Sequence, residues 1–550
     1  MTSPFTRRDF VRGSLAAGIA SLATPSSLAA AVSRDGQSTP APRNAAAPAF
    51  DLAEATVADL QRGMQSDRWT AEGIAQQYLA RMDEIDVAGP TLRSVLERNP
   101  DALAIARERD AERKAGRLRG PLHGIPVLIK GNIDTADRMQ TTAGSYALAG
   151  TPAPRDAFLV ERLRAAGAVI LGKTNLSEWA NMRSTHSSSG WSGMGGQTRN
   201  PYALDRSPSG SSSGSGAACA ANLAALTIGT ETDGSITSPA SCNGLVGLKP
   251  TIGLVSRSGI IPIAHSQDTA GPMTRTVTDA ALLLAAITGI DQRDAATSDQ
   301  RGKVGDYLAA LVPGALKGKR IGIPRKVYFG YHPAVDALAE QAIAALKDAG
   351  AIVIDHADLA GAGTYGDAEF EVLLYEFKTD IAAYLVSRGP TTTLRTMADL
   401  VAYHEKDRER EMPFFAQELL ELSAKKGPLT DPAYLKARAH CLLHARTKGI
   451  DATMAKHNLD ALMAPTSGPA WLVDHVNGDA GGGGSSTQPA AVAGYPSITV
   501  PAGLVHGLPV GMQFWGRAWS EATLLGIAYG FEQATKARRA PTFAEHATVG

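Results

Sequence analysis

The sequence predicts an α/β fold, one large domain whose mixed, mostly parallel central sheet is covered by helices on both faces. Three observations carry that prediction. Short apolar runs of strand length alternate with segments of helical period, Leu316–His356 reads as a compact βαβ unit, and no linker divides the chain beyond residue 50. With 550 residues and 44% hydrophobic content, the chain can bury a large core as a single unit.

The first residues read as an address. Thr6-Arg7-Arg8-Asp9-Phe10-Val11-Arg12 precede an uncharged stretch of mostly small residues, Gly13 to Val32, in which Ala29-Ala30-Ala31 offers an A-x-A exit. Residues 1–31 are read as a twin-arginine signal peptide, with the twin-arginine translocon as partner and a periplasm or the medium as destination. The stretch is weakly hydrophobic and short for a span, so no stable membrane insertion is expected. Residues 32–49, rich in Ala, Pro and Ser, read as a flexible tether, which leaves 50–545 as the folded domain.

From Asp51 to about Gly116 the pattern is helical: Leu52, Val57 and Leu60, then Ile74, Tyr78, Leu79 and Met82, recur at three- and four-residue spacing. Ile125 to Ile129 is an apolar run ending at Lys130 and reads as a buried strand. A helix over Ala157–Ala166 leads to a strand over Ala168–Leu171. The βαβ unit has strands at Arg320–Ile323 and Ile352–Ile354 around a helix over Ala334–Ala349, and late strands follow at Leu459–Met463 and Ser497–Val500. Gly481 to Ser486, between those two, reads as a surface loop.

Composition narrows the function. Lys plus Arg and Asp plus Glu each total 54, so nothing draws the chain to nucleic acid, and no nucleic-acid partner is expected. The three cysteines, Cys219, Cys242 and Cys441, lack metal-ligand spacing and read as buried small hydrophobes. With no H-E-x-x-H or similar cluster, neither a metal nor a cofactor is called for.

Two serine-bearing stretches carry the chemistry. Ser207 to Ala218 (SPSGSSSGSGAA) has the composition of a flexible spacer. Within it Gly210-Ser211-Ser212-Ser213-Gly214 matches G-x-S-x-G, which would make Ser212 a nucleophile on an elbow. That motif requires a strand directly before it, and Arg199 to Pro208 is polar and broken by two prolines, so the elbow reading fails. Downstream, Thr227 to Ile236 runs from an apolar segment into a polar, Gly-containing turn ending near Ser235. Such a turn can aim several backbone N–H groups at one point, as an oxyanion hole requires. A serine there still needs a base, neither stretch holds a histidine, and Lys130 at its strand end is the alternative.

Taken together, these segments resemble the amidase signature family. The matching segments are Gly120 to Lys130, Lys173 to Glu178, Ser209 to Ser215, Gly229 to Ser235 and Cys242 to Thr251, with a weaker likeness near Ala493 to Pro496. The resemblance implies the amidase signature fold and a Ser–Ser–Lys triad. It makes Ser235 the nucleophile, Lys130 the terminal base and Ser211 the bridging serine after a cis peptide bond. It further assigns the oxyanion-hole N–H groups to Thr232, Asp233, Gly234 and Ser235, with Ser212 in support. Small residues then fill Ser207 to Ala218 because the backbone folds tightly around a catalytic serine.

Where many members read G-T-D-T-G-G-S-I-R, Gly229 to Thr237 reads G-T-E-T-D-G-S-I-T, and Gly131 stands where aspartate usually follows the lysine. Loss of the arginine argues against small amides that carry a carboxylate. The T-E-T-D-G-S form, the exported start and Leu373-Leu374-Tyr375-Glu376-Phe377 look closest to bacterial peptide amidases, which convert a peptide's C-terminal carboxamide to acid and ammonia. The expected partner is therefore a peptide amide or another small amide. The rival readings are a broad-specificity amidase or aryl-acylamidase, the A subunit of glutamyl-tRNA amidotransferase, and a secreted binding protein without activity.

Overall fold

The computed structural model describes residues 50–150, 152–480 and 483–548. The signal peptide read into 1–31 and the tether at 32–49 therefore lie outside the described residues.

The helical start holds three α-helices, α1 (Val57–Gln65), α2 (Ala71–Arg81) and α3 (Ala102–Lys114), with a π-helical extension of α2 over Met82–Val87. Thr56 begins α1 with a capping box: its hydroxyl accepts from the Asp59 N–H while Asp59 accepts from the Thr56 N–H. The expectation of helix throughout this region is corrected by a strand, β1 (Val95–Arg98). The buried carboxylate of Asp86 accepts from the N–H groups of Ser94 (2.7 Å) and Val95 (3.0 Å), and so turns the chain into an extended path.

The remaining strands are β2 (Pro126–Lys130), β3 (Val169–Thr174), β4 (Leu226–Glu231), β5 (Val246–Lys249), β6 (Thr269–Thr274), β7 (Arg320–Ile323), β8 (Ile352–Asp355), β9 (Ala461–Pro465), β10 (Ser497–Val505) and β11 (Leu508–Trp515). They form one mixed sheet in the order β1-β3-β2-β4-β6-β5-β10-β11-β9-β7-β8. Parallel pairing occupies two blocks, β3-β2-β4 and β9-β7-β8, and antiparallel pairing joins them. The expected βαβ unit is β7, α8 (Pro333–Asp348) and β8, with its two strands parallel.

Both faces of the sheet are covered, and β9 displays this directly. Ala461 and Met463 join one large core while Leu462 and Ala464 join a second, the alternation a strand buried on both sides must show. The first core also holds α4 (Phe158–Ala165), α7 (Val277–Ile287) and α10 (Glu521–Thr535). The second and a third core take α9 (Gly366–Ser387) on the opposite side. Among the described residues no helix is long and apolar enough to cross a membrane.

Two short helices position the site. The suspected spacer is α5 (Ser213–Ala220), buried at every residue, and α6 (Thr237–Cys242) follows the turn after β4. A Cβ on Gly214 would lie 2.3 Å from the Ser94 carbonyl oxygen and 2.5 Å from that of Asn175, and one on Gly216 would lie 2.9 Å from Asn243. Small residues are required there by close packing.

Candidate active site

Because β2 and β4 are parallel neighbours, paired as Val127↔Leu226 through Ile129↔Ile228, their C-terminal ends emerge at the same edge of the sheet. Functional residues gather at such edges. Lys130 ends β2, and the turn that carries Ser235 leaves β4 at Glu231. Helix α5 starts beside both, directly after Ser211 and Ser212.

Lys130 has no solvent exposure. Its Nζ donates to Ser211 Oγ (2.8 Å), Thr230 Oγ1 (2.9 Å) and the Thr230 carbonyl (3.2 Å), and Asn132 Nδ2 donates to the same Thr230 hydroxyl (3.0 Å). Burial pushes Lys130 down to about 7, against the pull of the Asp268 and Glu231 carboxylates. Thr230 and Asn132 were missed from the sequence. Their signal was available, since an amine buried at a strand end must find acceptors nearby.

The Gly210–Ser211 peptide bond is cis. The Ser211 carbonyl accepts from the Ser177 N–H (3.1 Å), and a Cβ on Gly210 would lie 2.3 Å from Ser177 Oγ. Ser212, rejected above as an elbow nucleophile, is wholly buried. Its Oγ accepts from the Thr230 N–H (3.1 Å) and donates to the Thr230 carbonyl (3.0 Å), while its N–H donates to the Ser235 carbonyl (3.2 Å). It thus ties α5, β4 and the Ser235 turn together.

The turn is closed by Glu231, whose Oε2 accepts from the N–H groups of Ile236 (2.8 Å) and Thr237 (3.0 Å) and from the Thr237 hydroxyl (3.3 Å). Gly234 sits at φ +78°, in the left-handed region that favours glycine. The N–H groups of Thr232, Gly234 and Ser235 have no protein acceptor among the described residues, and neither has the Ser235 hydroxyl. Thr232 Oγ1 donates to Asp268 (2.6 Å), whose carboxyl burial pushes up to about 7. A cavity of about 350 Å³ reaches Asn132, Thr230 and Thr232 from this side, and Ser235 is not on its wall.

The end of the Gly481 to Ser486 stretch and the residue after it border the site. Ser486 is anchored to β9 through its N–H to Thr466 and its Oγ to Pro465, and Thr487 Oγ1 donates to Asp233 (2.7 Å). Cys219, Cys242 and Cys441 are all buried, as expected. Among the described residues two groups bring His and carboxylate atoms close enough for a metal, Glu178–His404–Glu411 and His265–Glu376–Asp380, and neither includes a predicted site residue. Several of their atoms have protein partners. Arg183 pairs with Glu178, Trp179 Nε1 donates to His404 Nε2 (3.2 Å), and the His265 N–H donates to Asp380 (2.8 Å).

A family model described as Amidase matches residues 74–525, most of the folded chain. The chain belongs to the amidase family. Two crystal structures of peptide amidases resemble this family member throughout. One, in complex with the competitive inhibitor chymostatin, is 53% identical with a TM-score of 0.87, covering 90% of this chain and 100% of its own. The other, native peptide amidase from Stenotrophomonas maltophilia, is 52% identical with a TM-score of 0.86, covering 90% and 99%. An amidase family protein from Bacillus anthracis is 38% identical with a TM-score of 0.81, covering 89% and 93%. The A subunit of glutamyl-tRNA(Gln) amidotransferase from Symbiobacterium thermophilum is 36% identical, covering 88% of this amidase and 97% of its own length. The expected fold, one large domain on a mixed sheet, is that of the peptide amidases.

Proposed function

We propose that this amidase hydrolyses the C-terminal carboxamide of peptides with Ser235 as nucleophile, Ser211 as relay and Lys130 as base. The observation that carries the reading is a lysine buried enough to titrate near 7 and bonded to Ser211, itself one residue from the N–H that holds the Ser235 carbonyl. Likeness to the peptide amidases at 52–53% identity supports the substrate class.

The proton of Ser235 passes to Ser211 as Ser211 gives its own to neutral Lys130, and Ser235 Oγ bonds to the amide carbon. The tetrahedral oxyanion is held by the N–H groups of Thr232, Asp233, Gly234 and Ser235. As the C–N bond breaks, Lys130 returns the proton through Ser211 to the nitrogen, and ammonia leaves. Water then attacks the Ser235 ester by the same relay, releasing the acid and restoring the serine. Export by the twin-arginine route, read from Arg7 and Arg8, belongs to the same proposal.

The experiment measures ammonia release from a peptide amide, a free-acid peptide and an aryl amide. Release from the peptide amide alone supports the proposal. Equal turnover of the aryl amide favours the broad-specificity reading, and no turnover of any substrate contradicts both.

A further inference from the structure

Leu373 to Phe377, set apart in the sequence and given no role above, lies on α9. Three carboxylates of this helix, Glu369, Glu376 and Asp380, are spaced by seven and four residues and so share one face. They grip three successive residues of another segment. Asp380 accepts from the His265 N–H (2.8 Å), Glu376 from the Ser266 N–H (2.9 Å) and Glu369 from Gln267 Nε2 (3.0 Å).

That segment in turn holds the Ser235 turn. Gln267 Nε2 also donates to the Thr232 carbonyl (3.2 Å), and the next residue, Asp268, takes the Thr232 hydroxyl. From the other side Gln488 Nε2 donates to the second oxygen of Glu369 (2.6 Å), one residue beyond the Thr487 that bonds Asp233. Glu369 and Gln267 are wholly buried.

A turn whose N–H groups are kept for a reacting oxygen must be fixed by other atoms, because preorganisation is what makes such donors effective. We propose that Glu369 is the positioning residue of this turn, holding the N–H groups of Thr232 to Ser235 in register by accepting from Gln267 and Gln488 at once. The inference rests on the reading of Ser235 as nucleophile. Burying a carboxylate is expensive, so a residue needed only to fill space would be neutral. A carboxylate suits the position because both of its oxygens accept and both neighbours donate, whereas a glutamine at 369 would turn its own amide donor toward one of them.

The test compares wild type, Glu369→Gln, the double variant Glu369→Gln/Gln488→Glu, Gln488→Leu and Ser235→Ala on a peptide amide. Each is also measured for thermal midpoint and for inhibition by a peptide aldehyde, whose hemiacetal oxygen would occupy the oxyanion site. Glu369→Gln is expected to lower kcat and weaken the aldehyde by about 10–100-fold, the range for loss of one oxyanion donor or somewhat less, with KM little changed. The double variant should recover most of that loss, since the side-chain carbonyl at position 369 still accepts from Gln267 while its amide donates to the carboxylate introduced at position 488. Gln488→Leu, at a partly exposed position, should show a smaller kcat loss of the same kind and serves if Glu369→Gln fails to fold. Unchanged kcat in both single variants, or a loss confined to KM, overturns the proposal. Normal turnover by Ser235→Ala would instead overturn the nucleophile reading on which it rests.

Discussion

The Nζ of Lys130 lies 2.8 Å from the Oγ of Ser211 in a place with no access to water. An ordinary lysine titrates near ~10.4 and almost never carries a free electron pair at neutral pH. Desolvation here brings the amine down to about 7, so a large fraction is a usable base under ordinary conditions. The remaining acceptors, both on Thr230, hold the amine whichever proton count it carries.

Replacing serines should separate their roles. Ser235→Ala is expected to abolish turnover with an unchanged thermal midpoint, because its hydroxyl bonds to no described residue. Ser211→Ala should lose turnover by several orders of magnitude. Ser212→Ala should lose less than either and lower the thermal midpoint, because its hydroxyl satisfies both backbone groups of Thr230. Rates and melting curves on the three variants check this ordering.

Packing around α5 should be unforgiving. Gly214→Ala puts a methyl group 2.3 Å from a backbone oxygen that cannot rotate away. Overpacking of this kind typically costs about 1–3 kcal/mol, and denaturant unfolding should register it as a clear loss of stability. A truly flexible spacer would accept the alanine without effect.

Stability should also depend on pH through Lys130. Its folded value is depressed to about 7 while the unfolded chain titrates near ~10.4. Between those values the unfolded state binds more protons, so native stability rises with pH across the window. A Lys130→Met variant has no such titration. Its stability relative to wild type should therefore be greatest at or below pH 7 and should decline toward pH 10, by at most roughly 5 kcal/mol. Urea unfolding of both proteins at pH 6, 8 and 10 checks the trend, and a difference independent of pH would contradict it.

The parallel strands and the βαβ unit were legible because continuous apolar runs leave little alternative. The contact between Lys130 and Ser211 was foreshadowed by the family's spacing, which set both residues apart. What was not legible is long-range pairing. The strand Val95–Arg98 is short and half polar, and its conformation is set by Asp86 and by pairing with β3 rather than by any local pattern. The spacer-like composition of Ser213 to Ala220 hid a helix because its cause, backbone from Ser94 and Asn175 pressed against Gly214, lies far away in sequence. For the same reason the bond from Thr487 to Asp233 is invisible in a Gly-rich loop.

Export has its own test. Replacing Arg7 and Arg8 with lysines should leave active amidase in the cytoplasm, since the twin-arginine route depends on that pair. Fractionation followed by an activity assay checks it, and unchanged export would contradict the address.

The most direct test of the central claim is kcat/KM for a peptide amide from pH 5 to 10 in wild type and Lys130→Arg. The account predicts a wild-type rate that rises through one deprotonation near pH 7. It predicts near-complete loss in the arginine variant at every pH, because a guanidinium does not give up its proton there. Near-normal turnover by Lys130→Arg would contradict the base role and reduce Lys130 to a structural charge.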